Sequence, residues 1–235
     1  MPRSVLHRQS STRIRSKDSN YIHYYFLMRD IKNAIDAHAS GSLLDIGCGN
    51  KPYREWYGPR TENSLGCDME QSDKNLVDTL CPANQLLFED EQFHTVLCTQ
   101  VLEHVFETSG VLSEAFRVLK PGGKIILTVP FTWEIHEKPY DFYRFTRYSL
   151  QQAFSNAGFQ HIDIKANGGK WACCFQMFIN TIYSTFPYKT FRAKILKIIF
   201  MELRFTWLLN KIAISLDKKY FDEWWTLNYI VVAKK

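Results

Sequence analysis

From Tyr21 to about Ala39, apolar residues recur at helical spacing (Ile22, Tyr25, Phe26, Met28, Ile31, Ile35) and Ser40-Gly41 closes the run, which predicts an amphipathic helix. Short apolar runs follow at Ser42–Ile46, Ser64–Cys67, Thr95–Thr99, Lys124–Val129, Ile162–Ala166 and Asn228–Ala233. Their length and bounding turn residues predict strands. Between them, Gly110–Leu119 and Ser149–Ala157 carry helical patterns, and Leu119-Lys120-Pro121-Gly122-Gly123 reads as a helix stop and a tight turn into the next strand. Strands alternating with helices predict an α/β fold: a doubly wound, mostly parallel sheet that binds its ligand at the carboxyl ends of the strands.

Residues 170–226 break this rhythm. Trp171–Tyr188 is uncharged over 18 residues, close to the length that spans a membrane, but Gln176, Asn180, Thr181, Ser184, Thr185 and Pro187 dilute it. Phe191–Leu216 is apolar and basic, with Arg192, Lys194, Lys197, Arg204 and Lys211 against Glu202. The expected organisation is a flexible basic leader over 1–20, a core formed by 21–169 and 227–235, and a helical lid inserted over 170–226. Residues 189–216 are also suited to peripheral contact with an anionic membrane.

The hydrophobic fraction of 46% and charged fraction of 23% exclude a disordered chain, and a net charge of +5 is too mild to indicate nucleic acid as a partner. Six cysteines contain no C-x-x-C, and the first twenty residues lack an apolar segment. Together these predict reduced thiols and a cytoplasmic location rather than secretion. The chemistry concentrates at Leu43-Leu44-Asp45-Ile46-Gly47-Cys48-Gly49, a strand running into Gly-x-Gly, where glycines allow close backbone approach to a ligand. Pro52 stands where a dinucleotide dehydrogenase would place its third glycine, and no P-loop lysine follows. Asp45, inside the strand, suits a ligand presenting ammonium or hydroxyl donors. Asp68 ends the second strand, where a carboxylate can accept a ribose diol, and Asp78 follows.

With LLDIGCG, GCD, LLFEDEQFHTV, TQVLEHV, FRVLKPGGKIILTVP and AFSNAGF in this order over about residues 42–160, the chain resembles the class I S-adenosylmethionine-dependent methyltransferases of the type 11 group. The resemblance implies a Rossmann-like seven-stranded sheet with an antiparallel last strand, here Asn228–Ala233. It implies S-adenosylmethionine as cofactor, with Gly47, Cys48 and Gly49 under the methionine moiety and Asp45 near its ammonium. Asp68 and the adjacent Met69 would take the ribose, and Thr99, Gln100 and Val101 the pocket floor. There are departures. Pro82 stands where an acidic residue usually holds the adenine amino group, leaving Asp78 as the nearest carboxylate, and His94 replaces the usual acid before the fourth strand.

Methyl transfer to a hydroxyl needs collinear approach and a base for the proton. The fourth strand lacks the N/D-P-P-Y/F of base N-methylation. Pro130–Thr146 supplies His136 as base, Asp141 to orient it, and the rings of Tyr140, Phe142 and Tyr143; His104 is a second base candidate. The same stretch can equally dock its loop onto the next helix, with Thr146 or Ser149 as cap. Some relatives bind a divalent metal through E-x-x-E-H, but Gln100 takes the first position here, and no metal is expected. A similar H-x-x-P-Y-D-x-x-R-x-T stretch in relatives associated with surface glycans points to a small-molecule or saccharide hydroxyl acceptor. The alternative is a binding scaffold that has lost chemistry, or a membrane-peripheral interaction protein.

Overall fold

The computed structural model describes residues 11–185, 195 and 204–235. The first ten residues of the expected leader, and 189–194 and 196–203 of the 189–216 stretch expected to meet a membrane, lie outside them. Helix α1 covers Tyr21–His38, and β1 Ser42–Ile46 follows. Next come α2 Arg54–Tyr57, β2 Asn63–Asp68, β3 Thr79–Leu80 and β4 Phe93–Thr99. A 3-10 turn at Leu102–His104 leads to α3 Thr108–Val118, β5 Leu119–Pro130, α4 Arg147–Asn156 and β6 Gln160–Asn167. The chain closes with α5 Lys170–Thr185, α6 Phe205–Lys219 and β7 Asn228–Lys234. The seven strands form one sheet in the order β3-β2-β1-β4-β5-β7-β6, with the last strand antiparallel.

All six strands read from the apolar runs are present, β1 with the bounds expected and the other five each extended by one to several residues. The two-residue β3 and the single turn of α2 are additions, too short to leave a periodic signal. Leu119–Gly123 departs from the expected helix stop and separate turn. The helix does end, at Val118, but the strand starts at once, and the extra residues form a bulge: Phe93 pairs with Leu119 while Thr95 pairs with Lys124. Gly122, at φ +81°, takes the left-handed step that this needs.

By internal contacts the chain divides into two compact units, one holding Asp30–Lys165 and Tyr229–Lys235, the other Arg13–Arg29 and Ala166–Asn228. In the first, Leu43, Leu44, Val96, Leu97, Cys98, Ile125, Ile126 and Leu127 are fully enclosed. Central parallel strands are covered on both faces, so their sequences are continuous apolar runs. His94 is accounted for here. The Ser42 amide N–H donates to its Nδ1 at 3.1 Å, and Gly41, at φ +58°, leaves the ring the space a Cβ would fill. The imidazole thus ties the start of β1 to β4.

The second unit takes the first half of α1, which the sequence assigns to the core. Ile22 and Phe26 form one cluster with Ala172, Cys173 and Ile179 of α5, Leu209, Ala213 and Ile214 of α6, and Leu227. The uncharged face of α5 is therefore a protein interior. Gln176 is fully buried there; its Oε1 accepts from the His23 N–H at 3.0 Å, and its Nε2 donates to Ser19 O and Asn180 Oδ1, both at 2.8 Å. No described helix is long and apolar enough to cross a membrane.

Candidate active site

The turn after β1 is held open-handed by glycine and closed by backbone bonds. Gly47 lies at φ +70°, and a Cβ on it would stand 2.3 Å from Val101 Cγ2. The N–H groups of Gly47 and Cys48 both donate to Cys67 O, at 2.8 and 3.1 Å. The Gly49 N–H donates to Asp68 Oδ2 at 3.1 Å, and the Met69 N–H to Asp68 Oδ1 at 2.7 Å. Met69 itself is half exposed, whereas Cys48 is buried, its sulfur 2.6 Å from where a Gly66 side chain would begin. Cys48 is a packing residue; burial pushes its thiol far above the ordinary range.

Asp45 is 2% exposed and its Oδ2 has no hydrogen-bond partner; neither has the buried hydroxyl of Tyr57. Burial raises the Asp45 carboxyl to about 7, the Lys51 ammonium opposing this and Asp68 adding to it. Lys51 is a residue that sequence reasoning did not single out. It sits at φ +49°, its side chain is almost wholly buried, and its Cε passes through the space left by the missing side chain of Gly66. Its ammonium pairs with Asp78, whose Oδ2 also accepts the Gly66 N–H at 2.6 Å. Asp78 therefore already holds β2 and Lys51, and its position next to β3 keeps it at the same strand ends as Asp68.

At the end of β4, Thr99 is followed by Gln100 at φ +53°. The Gln100 N–H donates to Thr128 O at 3.0 Å and its Nε2 to Thr128 Oγ1 at 3.2 Å, locking β4 to β5. Val101, which meets Gly47, accepts the His104 N–H on its carbonyl at 2.9 Å. A short path therefore joins the glycine turn to His104 through one residue.

The loop after β5 folds back onto the 3-10 turn. The Phe142 N–H donates to Glu103 O at 2.9 Å, the Tyr143 hydroxyl to Phe106 O at 3.0 Å, and His104 Nδ1 contacts Tyr140 O at 2.9 Å. Arg144 staples the loop: Nη1 and Nη2 donate to the two oxygens of Asp141 at 2.6 and 2.8 Å, and Nη2 also to Glu134 O at 3.0 Å. Burial would raise the Asp141 carboxyl, but the Arg144 guanidinium and the His136 N–H outweigh it and hold it at about 2. That carboxylate takes the His136 N–H at 2.9 Å and lies 3.3 Å from His136 Nδ1. The docking role weighed for this segment is thus real, and Thr146 with Ser149 forms a capping box on α4. Of the three rings, Tyr143 is engaged by its hydroxyl, while Tyr140 and Phe142 stay partly exposed.

His104 and His136 meet edge to face, with ring centroids 4.9 Å apart. Burial lowers the pKa of His104, which favours the neutral imidazole. Beneath them Glu103 is wholly buried with neither carboxylate oxygen hydrogen-bonded, and burial raises it to about 8. In the sequence Glu103 stands out only as part of the incomplete E-x-x-E-H pattern. The missing signal is tertiary: only the folded loop shows that its two oxygens are left without a hydrogen-bond donor.

Comparison with known proteins agrees with this geometry. Residues 44–127 match the model of a methyltransferase domain family. A ubiquinone biosynthesis O-methyltransferase from Psychrobacter cryohalolentis is 28% identical over 140 residues, covering 53% of this chain and 54% of that protein. The chain thus spans about half the length of this curated relative. Among solved structures, the [4+2]-cyclase SpnF superposes with a TM-score of 0.56 at 17% identity, over 88% of this chain and 80% of that one. A SAM-dependent methyltransferase from Archaeoglobus fulgidus gives 0.55 at 16%, over 90% and 100%. With its six ordered motifs, its sheet order and this family match over β1 to β5, residues 44–127 carry a methyltransferase domain of the type 11 group.

Proposed function

We propose that the protein transfers a methyl group from S-adenosylmethionine to a hydroxyl of a small-molecule acceptor, with His136 as the base that receives the hydroxyl proton. The observation that carries this is the path Gly47–Val101–His104–His136, which sets a pair of imidazoles beside a glycine turn at the same strand ends. Two features fit the cofactor. The unpartnered Asp45 Oδ2 suits an ammonium group, and the Gly47 turn has no room for a side chain. Asp68 would accept the ribose hydroxyls, and Asp45 would hold the methionine end.

Bound S-adenosylmethionine supplies an electrophilic methyl on a sulfonium sulfur. The acceptor oxygen bonds to that carbon as the carbon–sulfur bond breaks, its electron pair staying on sulfur. His136 takes the departing proton at Nε2, because Asp141 and Glu134 O face its Nδ1 and fix the tautomer. Positioning such a base contributes on the order of 10²–10⁴ in rate. The relative named for O-methylation favours a hydroxyl acceptor, and its place in ubiquinone biosynthesis favours a quinone precursor over the saccharide suggested by the 136–146 pattern. SpnF, on the same fold, keeps the non-methylating scaffold in view, since fold alone does not fix chemistry. The test is transfer of labelled methyl to a panel of phenols and sugars: label on any hydroxyl supports the proposal, while cofactor binding with no transfer to any of them supports the scaffold.

A further inference from the structure

We propose that Glu103, His104 and His136 form a binding site for a divalent first-row transition-metal ion, with zinc as the best match. One ligand atom from each residue, a carboxylate oxygen and two ring nitrogens, lies within 4.8 Å of the others. An ion at about 2.0–2.2 Å from each spans at most about 4.4 Å between ligand atoms, so even the widest such spacing closes with side-chain shifts of a few tenths of an ångström.

Three independent features distinguish this from a chance cluster. Each histidine has its Nδ1 committed to an oxygen: His104 faces Tyr140 O at 2.9 Å, and His136 faces Glu134 O at 3.1 Å and Asp141 Oδ2 at 3.3 Å. A ring N–H fixed on a carbonyl or carboxylate leaves the Nε2 lone pair outward, which is how ligating histidines are oriented in metal sites. Glu103 is wholly buried, and both its oxygens lack hydrogen-bond partners. A buried carboxylate without donors is costly unless something cationic meets it, and His104 Nε2, at 3.7 Å from Oε1, is too far for a hydrogen bond. Finally, the ligands come from two segments that are pinned together by the Phe142 N–H on Glu103 O and the Tyr143 hydroxyl on Phe106 O, so the set is already assembled.

Two imidazoles and one carboxylate select zinc, cobalt, manganese or ferrous iron over magnesium or calcium, which prefer oxygen. Glu137 Oε2, 3.7 Å from His104 Nε2, stands ready as a fourth ligand or leaves that position to an incoming oxygen. The consequence for catalysis rests on the function proposed above. An acceptor hydroxyl entering the open position would be acidified by the ion and release its proton to solvent water, while His136 Nε2 would hold the ion instead of receiving that proton.

The experiment uses the untagged full chain, stripped with chelator and titrated with cobalt(II) as a spectroscopic probe. One equivalent should produce visible d–d absorption without a thiolate charge-transfer band, be displaced by zinc, and be indifferent to excess magnesium. His136→Gln and Glu103→Gln should each weaken cobalt binding at least about tenfold, while S-adenosylhomocysteine affinity, measured on the same samples, shows that they remain folded. Absence of the band, a thiolate spectrum, or unchanged affinity in both variants overturns the site. Metal binding without methyl transfer would discard only the function, and transfer that needs His136 but no metal would discard only the ion.

Discussion

Val101 Cγ2 stands 2.3 Å from where a side chain on Gly47 would begin, so the end of β4 is closed against the turn after β1. Gly47 adds a left-handed φ of +70°, which costs another residue about 1–2 kcal/mol. Gly47→Ala is therefore expected to lower Tm and to weaken S-adenosylhomocysteine at least about tenfold, the equivalent of about 1.4 kcal/mol. Adding Val101→Ala should recover part of the Tm. Calorimetry on the single variant checks the assignment; wild-type affinity would remove Gly47 from the cofactor site.

Asp45 ties cofactor binding to pH. Burial raises its carboxyl from 3.8 to about 7, so in the free protein it is neutral below that value, whereas the unfolded chain loses the proton near the lower one. Its contribution to stability is complete at acid pH and is lost as pH rises through about 7. An ammonium-bearing ligand needs the ionised form, so affinity for S-adenosylhomocysteine should strengthen as pH climbs through about 7 and then level off. Asp45→Asn should bind more weakly and flatten the profile. A profile of the same slope in the variant would assign the titration elsewhere.

His136→Ala should lower the rate of methyl transfer by about 10²–10⁴ while leaving cofactor affinity intact. The check is to measure turnover and S-adenosylhomocysteine binding on one preparation. An unchanged rate would discard His136 as base.

Arg144 touches no reacting atom in this account and acts through Asp141 and the loop carbonyls. Arg144→Lys keeps the charge but loses the two-pronged grip on the carboxylate. It should lower kcat more than Arg144→Ala rescued with guanidinium in solution, with little change in cofactor affinity. Failure of guanidinium to restore any rate would make the staple a folding element alone.

The second unit has its own test. Asp217 is 1% exposed and accepts the N–H groups of Gly169, at 3.1 and 3.0 Å, and of Ala172, at 3.1 Å, at the start of α5. Asp217→Ala leaves those donors buried without a partner and should cost about 1–3 kcal/mol in urea unfolding. A loss confined to the ±0.5 kcal/mol or so typical of surface changes would contradict the burial.

The legible parts of the chain were those with a local signal. β1, β4 and β5 are apolar on both faces, and α1, α3 and α4 keep helical spacing, so pattern sufficed. β3 has two residues and no pattern to show. The unit boundary at Arg29 was hidden because Ile22 and Phe26 read as any amphipathic face until α5 and α6 are packed on them. At the site, Asp45, Gly47 and Asp68 carried family motifs, and all three lie at the carboxyl ends of β1 and β2. Lys51 escaped notice because its path depends on Gly66, fifteen residues away, having no side chain. The burial of Glu103 and the lack of donors to its oxygens depend on where residues 131–146 fold, which no spacing within TQVLEHV encodes.

The most direct test of the central claim is calorimetric titration of the purified chain with S-adenosylhomocysteine. Binding is expected at about micromolar Kd, or roughly −8 kcal/mol, abolished by Gly47→Arg or Asp68→Ala in variants that stay folded. A folded, monodisperse wild-type chain that releases no heat with the ligand would contradict it.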